Sequence, residues 1–147
     1  MKNFTTKIQV RWSDLDPNVH LRHSVYYDWG ALSRIEYLFS VGLTTSVMQK
    51  LQIGPILFRE ECVFKKEIRF GDEVTINVEL VKARRDFSRW TFRHTIIKNT
   101  DTVSAILTID GAWLDVAKRK LAVTPQEVKD AFKDIPMAED FVWEEEK

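Results

Sequence analysis

The sequence predicts an α+β domain in which an antiparallel β-sheet wraps around one long central helix. An alternating apolar run opens the chain, a helical apolar pattern follows from Ser24, and four strand-like runs then succeed one another without an intervening helical pattern. Strands in direct succession pair antiparallel, because a parallel pair needs a crossover between its members. The 147 residues fit one domain, taken as residues 1–147, with enough chain to bury a core unaided. Five Trp, nine Phe and three Tyr give an aromatic share of 12%, which favours strands and large packed surfaces.

Phe4, Thr6, Ile8, Val10 and Trp12 alternate with polar neighbours, so the first strand is expected to run to Ser13. Val25, Tyr26, Trp29, Leu32, Ile35, Leu38 and Phe39 then recur at helical spacings, with Gly42 as the stop. Their spread around the wheel predicts a largely enclosed helix. A linker or short second helix is expected over Thr44 to Gln52. Beyond Gly54-Pro55, "ILFREECVFKKEIRF" leads through Gly71-Asp72 into "EVTINVELVKARR", and "SRWTFRHTIIKNT" leads through Asn99-Thr100-Asp101 into "TVSAILTIDGAWLDV". "TPQEVKDAFKDI" predicts a terminal helix with Thr124 as cap, Pro125 at its first position and Glu127 closing a capping box. The final "EEEK" is expected in solvent.

Lysine plus arginine equals aspartate plus glutamate at 22 each, so no global field draws the chain to nucleic acid or an anionic membrane. No apolar leader follows Met1 and no run is long enough to span a bilayer. The single cysteine, Cys62, lies in an apolar run and reads as a small core residue, which fits a reducing, cytoplasmic setting.

The stretch "SDLDPNVHLRHSVYYDW" concentrates Asp14, Asp16, His20 and His23 just before the buried helix. Free amides and the positive end of the helix dipole belong there, and such a tip can receive an oxyanion. An acyl carbonyl held by those amides is polarised, and a carboxylate opposite can attack it or deprotonate a water that does. A thioester suits this arrangement because its thiolate leaves without a strong acid.

"RWSDLDPNVHLRHSVYYDWGALSRIEYLFSVGL" resembles the opening of the hotdog-fold acyl-CoA thioesterases of the 4-hydroxybenzoyl-CoA thioesterase type, whose pattern runs Asp-x-Asp-x-x-Gly-His-Val-Asn-Asn, a Tyr, then Ala-Arg and Gly. Asp14, Asp16, His20, Tyr26, Arg34 and Gly42 stand where that pattern asks. The Gly71-Asp72 turn, Arg85 and "GAWLDVAKRK" fall in family order, so the resemblance covers roughly residues 4 to 120. It implies a catalytic carboxylate at Asp16, a carbonyl-polarising amide near His23, and an acyl-CoA substrate that brings coenzyme A with it, with no separate cofactor. It also implies a homodimer or homotetramer of side-by-side sheets. Arg84, Arg85, Arg89 and Lys118-Arg119-Lys120 are candidates for the coenzyme A phosphates. The chain departs from the pattern where Gly becomes Val19, which makes a positive φ there costly, and where Asn-Asn becomes Arg22-His23.

Simpler readings compete at each position. Asp14 and Asp16 can be turn-forming acids, with Asp14 the more structural of the two. His20 either orients Asp16 and the acyl end or is a hydrogen-bonded loop residue, and His23 contributes its amide whatever its ring does. Asp16, His20 and His23 carry ligand chemistry for zinc or iron, but no HExxH helix or cysteine partner accompanies them, so no metal is expected. Glu60 and Glu61 are neighbours in a strand, so at most one faces the site; Glu61 is taken as the substrate-binding candidate. Tyr26, Trp29, Phe58 and Phe64 are core, with Tyr26 a candidate for the acyl pocket. Two functional alternatives stand beside hydrolysis: hydration or dehydration of an acyl thioester on the same fold, and non-catalytic acyl-CoA binding.

Overall fold

Alternation of apolar and polar residues generates a curled sheet of eight strands, with three helices against it. The structure is a computed structural model that describes residues 3–145; Met1 and Lys2, and Glu146 and Lys147 of the expected solvated tail, lie outside the described residues. In chain order the elements are β1 (Thr5–Ile8), α1 (His23–Ser40), α2 (Thr45–Leu51), β2 (Ile53–Phe64), β3 (Val74–Asn77), β4 (Glu79–Ala83), β5 (Arg89–Lys98), β6 (Thr102–Asp115), β7 (Lys120–Leu121), α3 (Gln126–Phe132) and β8 (Met137–Trp143).

The centre of the sheet is the β5–β6 hairpin, formed through the Asn99-Thr100-Asp101 turn as the sequence predicts. Trp90, Phe92, His94 and Ile96 turn to the covered face and are buried, while Thr91, Arg93 and Thr95 between them are not. β2 lies on the outer side of β6. β3 and β4 follow one another along the far side of β5, β1 extends the sheet beyond β3, and β7 makes a short hairpin with β6.

Several expectations need correction. β2 and β3 are not neighbours: residues 65–73 carry the chain across the molecule, because Ile68 is fully buried beneath the loop that precedes α1 and its carbonyl accepts from Leu21 N–H at 2.7 Å. The first strand stops at Ile8. Its continuation bends into a 3-10 turn at Trp12–Asp14, where the Asp14 carboxylate accepts from Arg11 N–H at 3.0 Å and from its guanidinium at 2.8 Å; Trp12 is thereby exposed. α3 begins one residue later than expected. Pro125 is its N-cap, and the Thr124 hydroxyl is buried without a partner instead of capping. The stretch between α3 and the expected tail, to which the sequence assigns no element, is a strand: β8 runs parallel to β4, and just beyond it Glu144 N–H donates to the Ala83 carbonyl at 2.8 Å.

α1, at 18 residues the longest helix, packs on β1, β2, β3 and β6 through Val25, Tyr26, Trp29, Tyr37 and Leu38. It is not enclosed as expected, because Leu32 and Phe39 remain exposed on its outer side. Gly42, at φ 87°, ends it where the sequence places the stop, and Leu43 N–H returns to the Leu38 carbonyl at 2.9 Å. The Tyr37 hydroxyl donates to the Ala131 carbonyl at 2.8 Å, tying α1 to α3, whose Phe132 is buried against Phe87, Phe92 and Trp113.

His94 is the one histidine with no exposed surface. Its Nδ1–H donates to the Asn77 carbonyl at 2.8 Å, and Nε2 accepts from the Arg34 guanidinium at 3.0 Å. Burial, then the Arg34 charge, push its pKa from the ordinary 6.5 down to about 3, against the smaller opposing effect of the Asn77 carbonyl. Between those values the unfolded chain binds a proton at this site that the folded chain does not, so stability present above pH 6.5 is lost as pH falls toward 3. Urea unfolding at pH 7 and pH 4.5 checks this: wild type should lose about 2 kcal/mol more between the two than His94→Gln does. Equal losses would remove His94 from the acid sensitivity.

Candidate active site

The site grows from a closed loop at residues 14–22. Its two sides are laced by Arg22 N–H to the Asp14 carbonyl at 2.8 Å, the Leu15–Leu21 bridge, and Asp16 N–H to the His20 carbonyl at 2.8 Å. Asp14 anchors it, 1% exposed and paired with Arg11, as a structural acid. The pairing holds the Asp14 carboxyl below the usual carboxylate range. At the loop tip, Asp16 Oδ1 accepts Asn18 N–H at 2.8 Å, the turn chemistry expected of Asp before Pro17-Asn18. Oδ2 of the same carboxylate lies 3.0 Å from His20 Nδ1.

The loop delivers the chain directly into α1. Arg22 is the N-cap and offers no side-chain cap bond, so the amides of His23 and Ser24 have no carbonyl within the helix to bond. The Arg22 guanidinium is held aside by the Ser13 carbonyl at 2.9 Å and Ser24 Oγ at 3.0 Å. Asp16, His20, His23 and Tyr26 therefore line one side of a cavity of about 330 Å³, and Phe64, Lys65, Lys66 and Glu67 line the other. A carboxylate and the positive end of an 18-residue helix thus border the same space. That space can hold a carbonyl between a base and an oxyanion-stabilising tip.

His20 stands between two acids, with Nε2 at 3.7 Å from Glu67 Oε2, while Glu67 Oε1 accepts from Arg69 at 2.6 Å. The Arg69 hydrogen bond and charge hold the Glu67 carboxyl below its ordinary range. Tyr26 packs edge-on against Phe64 with ring centroids 5.0 Å apart. Burial raises its hydroxyl to about 12, helped by Cys62, Glu67 and Asp16, so it stays a neutral donor. Glu67, Lys65 and Lys66 escape sequence reasoning: nothing in "FKKE" marks a site, and only the crossing of residues 65–73 brings them there.

The remaining sequence candidates lie elsewhere. Glu61 is exposed and paired with Arg59, and neither it nor Glu60 lines the cavity. Arg84 is bound to Glu144 at 2.9 Å, and Arg85 lies 5.0 Å over the Trp143 ring and 3.5 Å from Glu145. Both are engaged by the terminal segment. Arg89 covers Phe58 at 5.0 Å on the outer face of the sheet.

Residues 10–132 match the thioesterase-like superfamily, and the chain belongs to that family. A protein of Aquifex aeolicus (strain VF5) named "Putative esterase" is 26% identical over 133 residues, spanning 89% of this chain and 98% of its own. Among solved structures, a 1,4-dihydroxy-2-naphthoyl-CoA thioesterase from Synechocystis superposes with TM-score 0.80 at 19% identity, covering 90% of this chain and 96% of that one. A Staphylococcus aureus protein in complex with CoA superposes with TM-score 0.81 at 18% identity, covering 93% and 88%.

Val19, which stands where the resembled pattern has Gly, adopts φ 65° with its side chain 49% exposed. A β-branched residue pays about 1–2 kcal/mol for that conformation, and glycine's greater freedom in the unfolded chain returns part of the gain. Val19→Gly should therefore raise the melting temperature by about 2–4 °C, measured by circular dichroism. A lower melting temperature would show that Val19 contacts outweigh the strain.

Proposed function

We propose that the protein hydrolyses an acyl-CoA thioester to the free acid and coenzyme A. The observation that carries this reading is the convergence of Asp16, His20 and the uncapped start of α1 on one cavity. In this scheme the thioester oxygen accepts from the amide at His23 or Ser24. Asp16 removes a proton from water as the water oxygen adds to the carbonyl carbon, or adds to that carbon itself, in which case water afterwards cleaves the resulting mixed anhydride to the free acid and restores the Asp16 carboxylate. The helix tip carries the resulting oxyanion, whose collapse breaks the carbon–sulfur bond and releases the thiolate, which takes up a proton. His20 holds Asp16 in place through Nδ1, with Glu67 on its other side. Coenzyme A enters with the substrate, so the scheme uses no separate cofactor.

Lys65 and Lys66 border the cavity, which makes them better placed for the coenzyme A phosphates than Arg84 and Arg85, both already paired. The names of the Synechocystis thioesterase and of the CoA complex support the same substrate class.

The outer edge of β2 has no strand partner among the described residues, while Leu57, Phe58, Val63 and Phe64 along it are exposed. An open apolar edge of this length is an association surface. We place the homodimer there, with β2 meeting its own copy across a two-fold axis. No helix among the described residues is long and apolar enough to cross a membrane.

Thiol release over a panel of acyl-CoA esters tests the reaction. Asp16→Asn should lower turnover by about 10²–10⁴-fold with an unchanged circular dichroism spectrum; unchanged turnover would reject the role of Asp16. Loss of an enoyl thioester without thiol release would favour hydration instead, and binding without turnover would favour a carrier. Sedimentation should give at least twice the 17.3 kDa chain mass, and Val63→Lys should shift it toward the monomer. A monomeric wild type would remove the β2 interface.

A further inference from the structure

A second cavity, of about 240 Å³, lies more than two turns down α1 from the helix start. Its walls are apolar and largely aromatic, with Trp90, Phe92, Trp113 and Phe132 on the sheet and α3 side. Arg34 is the one charged residue that lines it. None of its lining residues borders the cavity at Asp16. At 1.5 Å per residue, Arg34 is roughly 16 Å along the axis from His23.

Arg34 is a half-buried cation without a close counter-ion. No carboxylate approaches its guanidinium within 4.0 Å among the described residues, and its hydrogen-bond partner is neutral His94. Burial draws its pKa down to about 10, so it is still charged at pH 7, and Glu60 acts on it only at a distance. A desolvated charge in that position is costly unless an anion reaches it. Two further groups are unmet: the Nε1–H of Trp90 and of Trp113, residues only 4% and 1% exposed, have no acceptor. Buried indole donors ordinarily find one. Ala31 on α1, which is exposed, stands at the rim and leaves a way in.

We propose that this cavity is a binding site for a small apolar carboxylic acid, with the carboxylate on Arg34 and the hydrocarbon or aromatic body among Trp90, Trp113 and Phe132. The volume exceeds that of an apolar cavity able to hold benzene, about 150 Å³, by enough for one ring and a short acidic arm. The guanidinium supplies planar, paired donors suited to a carboxylate. This site stands apart from the proposed hydrolysis and does not rest on it.

Phenylacetate is the probe, and phenylacetamide is its neutral isostere. Titration of the full chain at pH 7, followed by calorimetry and tryptophan fluorescence, should show saturable binding of phenylacetate at least about tenfold tighter than of phenylacetamide. Arg34→Gln should abolish that preference. Because Arg34 also holds buried His94, Arg34→Gln tests folding together with binding, so Ala31→Phe serves as a second variant: it fills the mouth from an exposed helical position and should abolish binding with circular dichroism unchanged. Absence of saturable phenylacetate binding to wild type, equal binding of the amide, or full binding by folded Ala31→Phe would each overturn the proposal. Thiol release by the same Ala31→Phe protein tells the two cavities apart, since loss of phenylacetate binding with hydrolysis retained places the acid away from Asp16.

Discussion

The site depends on the closure of residues 14–22 into a loop whose neck is fixed by backbone hydrogen bonds. Asp14 makes that closure possible, because its carboxylate consumes the Arg11 amide and guanidinium at the point where the first strand ends. With the neck fixed, Asp16 and the start of α1 border the same cavity, and His20 returns to meet the Asp16 carboxylate. The left-handed backbone at Val19 belongs to the same closure. A tip only three residues long between paired Asp16 and His20 has few ways to reverse direction, and one residue must adopt positive φ to do so.

Electrostatics then separates two kinds of polar burial. Around Asp16 the polar groups are partly exposed and held by one another: His20 stands between Asp16 and Glu67, and Glu67 is itself held by Arg69. Deeper in, Arg34 and His94 face each other on apolar ground, and the histidine gives up its proton so that the arginine can keep its charge. The first arrangement leaves groups accessible for chemistry, whereas the second leaves a cation with no carboxylate within 4.0 Å among the described residues.

The sheet bears the consequences of its connectivity. By sending residues 65–73 across the molecule instead of turning back beside β2, the chain both floors the candidate site and strips β2 of a second neighbour. The same crossing therefore accounts for Lys65, Lys66 and Glu67 at the cavity and for the exposed apolar edge. At the opposite side, β8 closes on β4 in parallel and engages Arg84 and Arg85, which removes from service two of the basic residues that stand out in the sequence.

The sequence by itself determined those features whose cause is local. The alternation of Trp90, Phe92, His94 and Ile96 made β5 legible, Gly42 marked the end of α1, and the cluster of Asp14, Asp16, His20 and His23 marked where a helix start and carboxylates would meet. Only the tertiary structure decided that Glu67 stands behind His20, that Arg34 and His94 meet 60 residues apart, that Leu32 and Phe39 stay outside, and that the chain's last strand runs parallel to β4. The difference is one of range: backbone propensity and periodicity act over a few neighbours, whereas these pairings were selected by which distant surfaces could be buried together at the lowest cost in unmet polar groups.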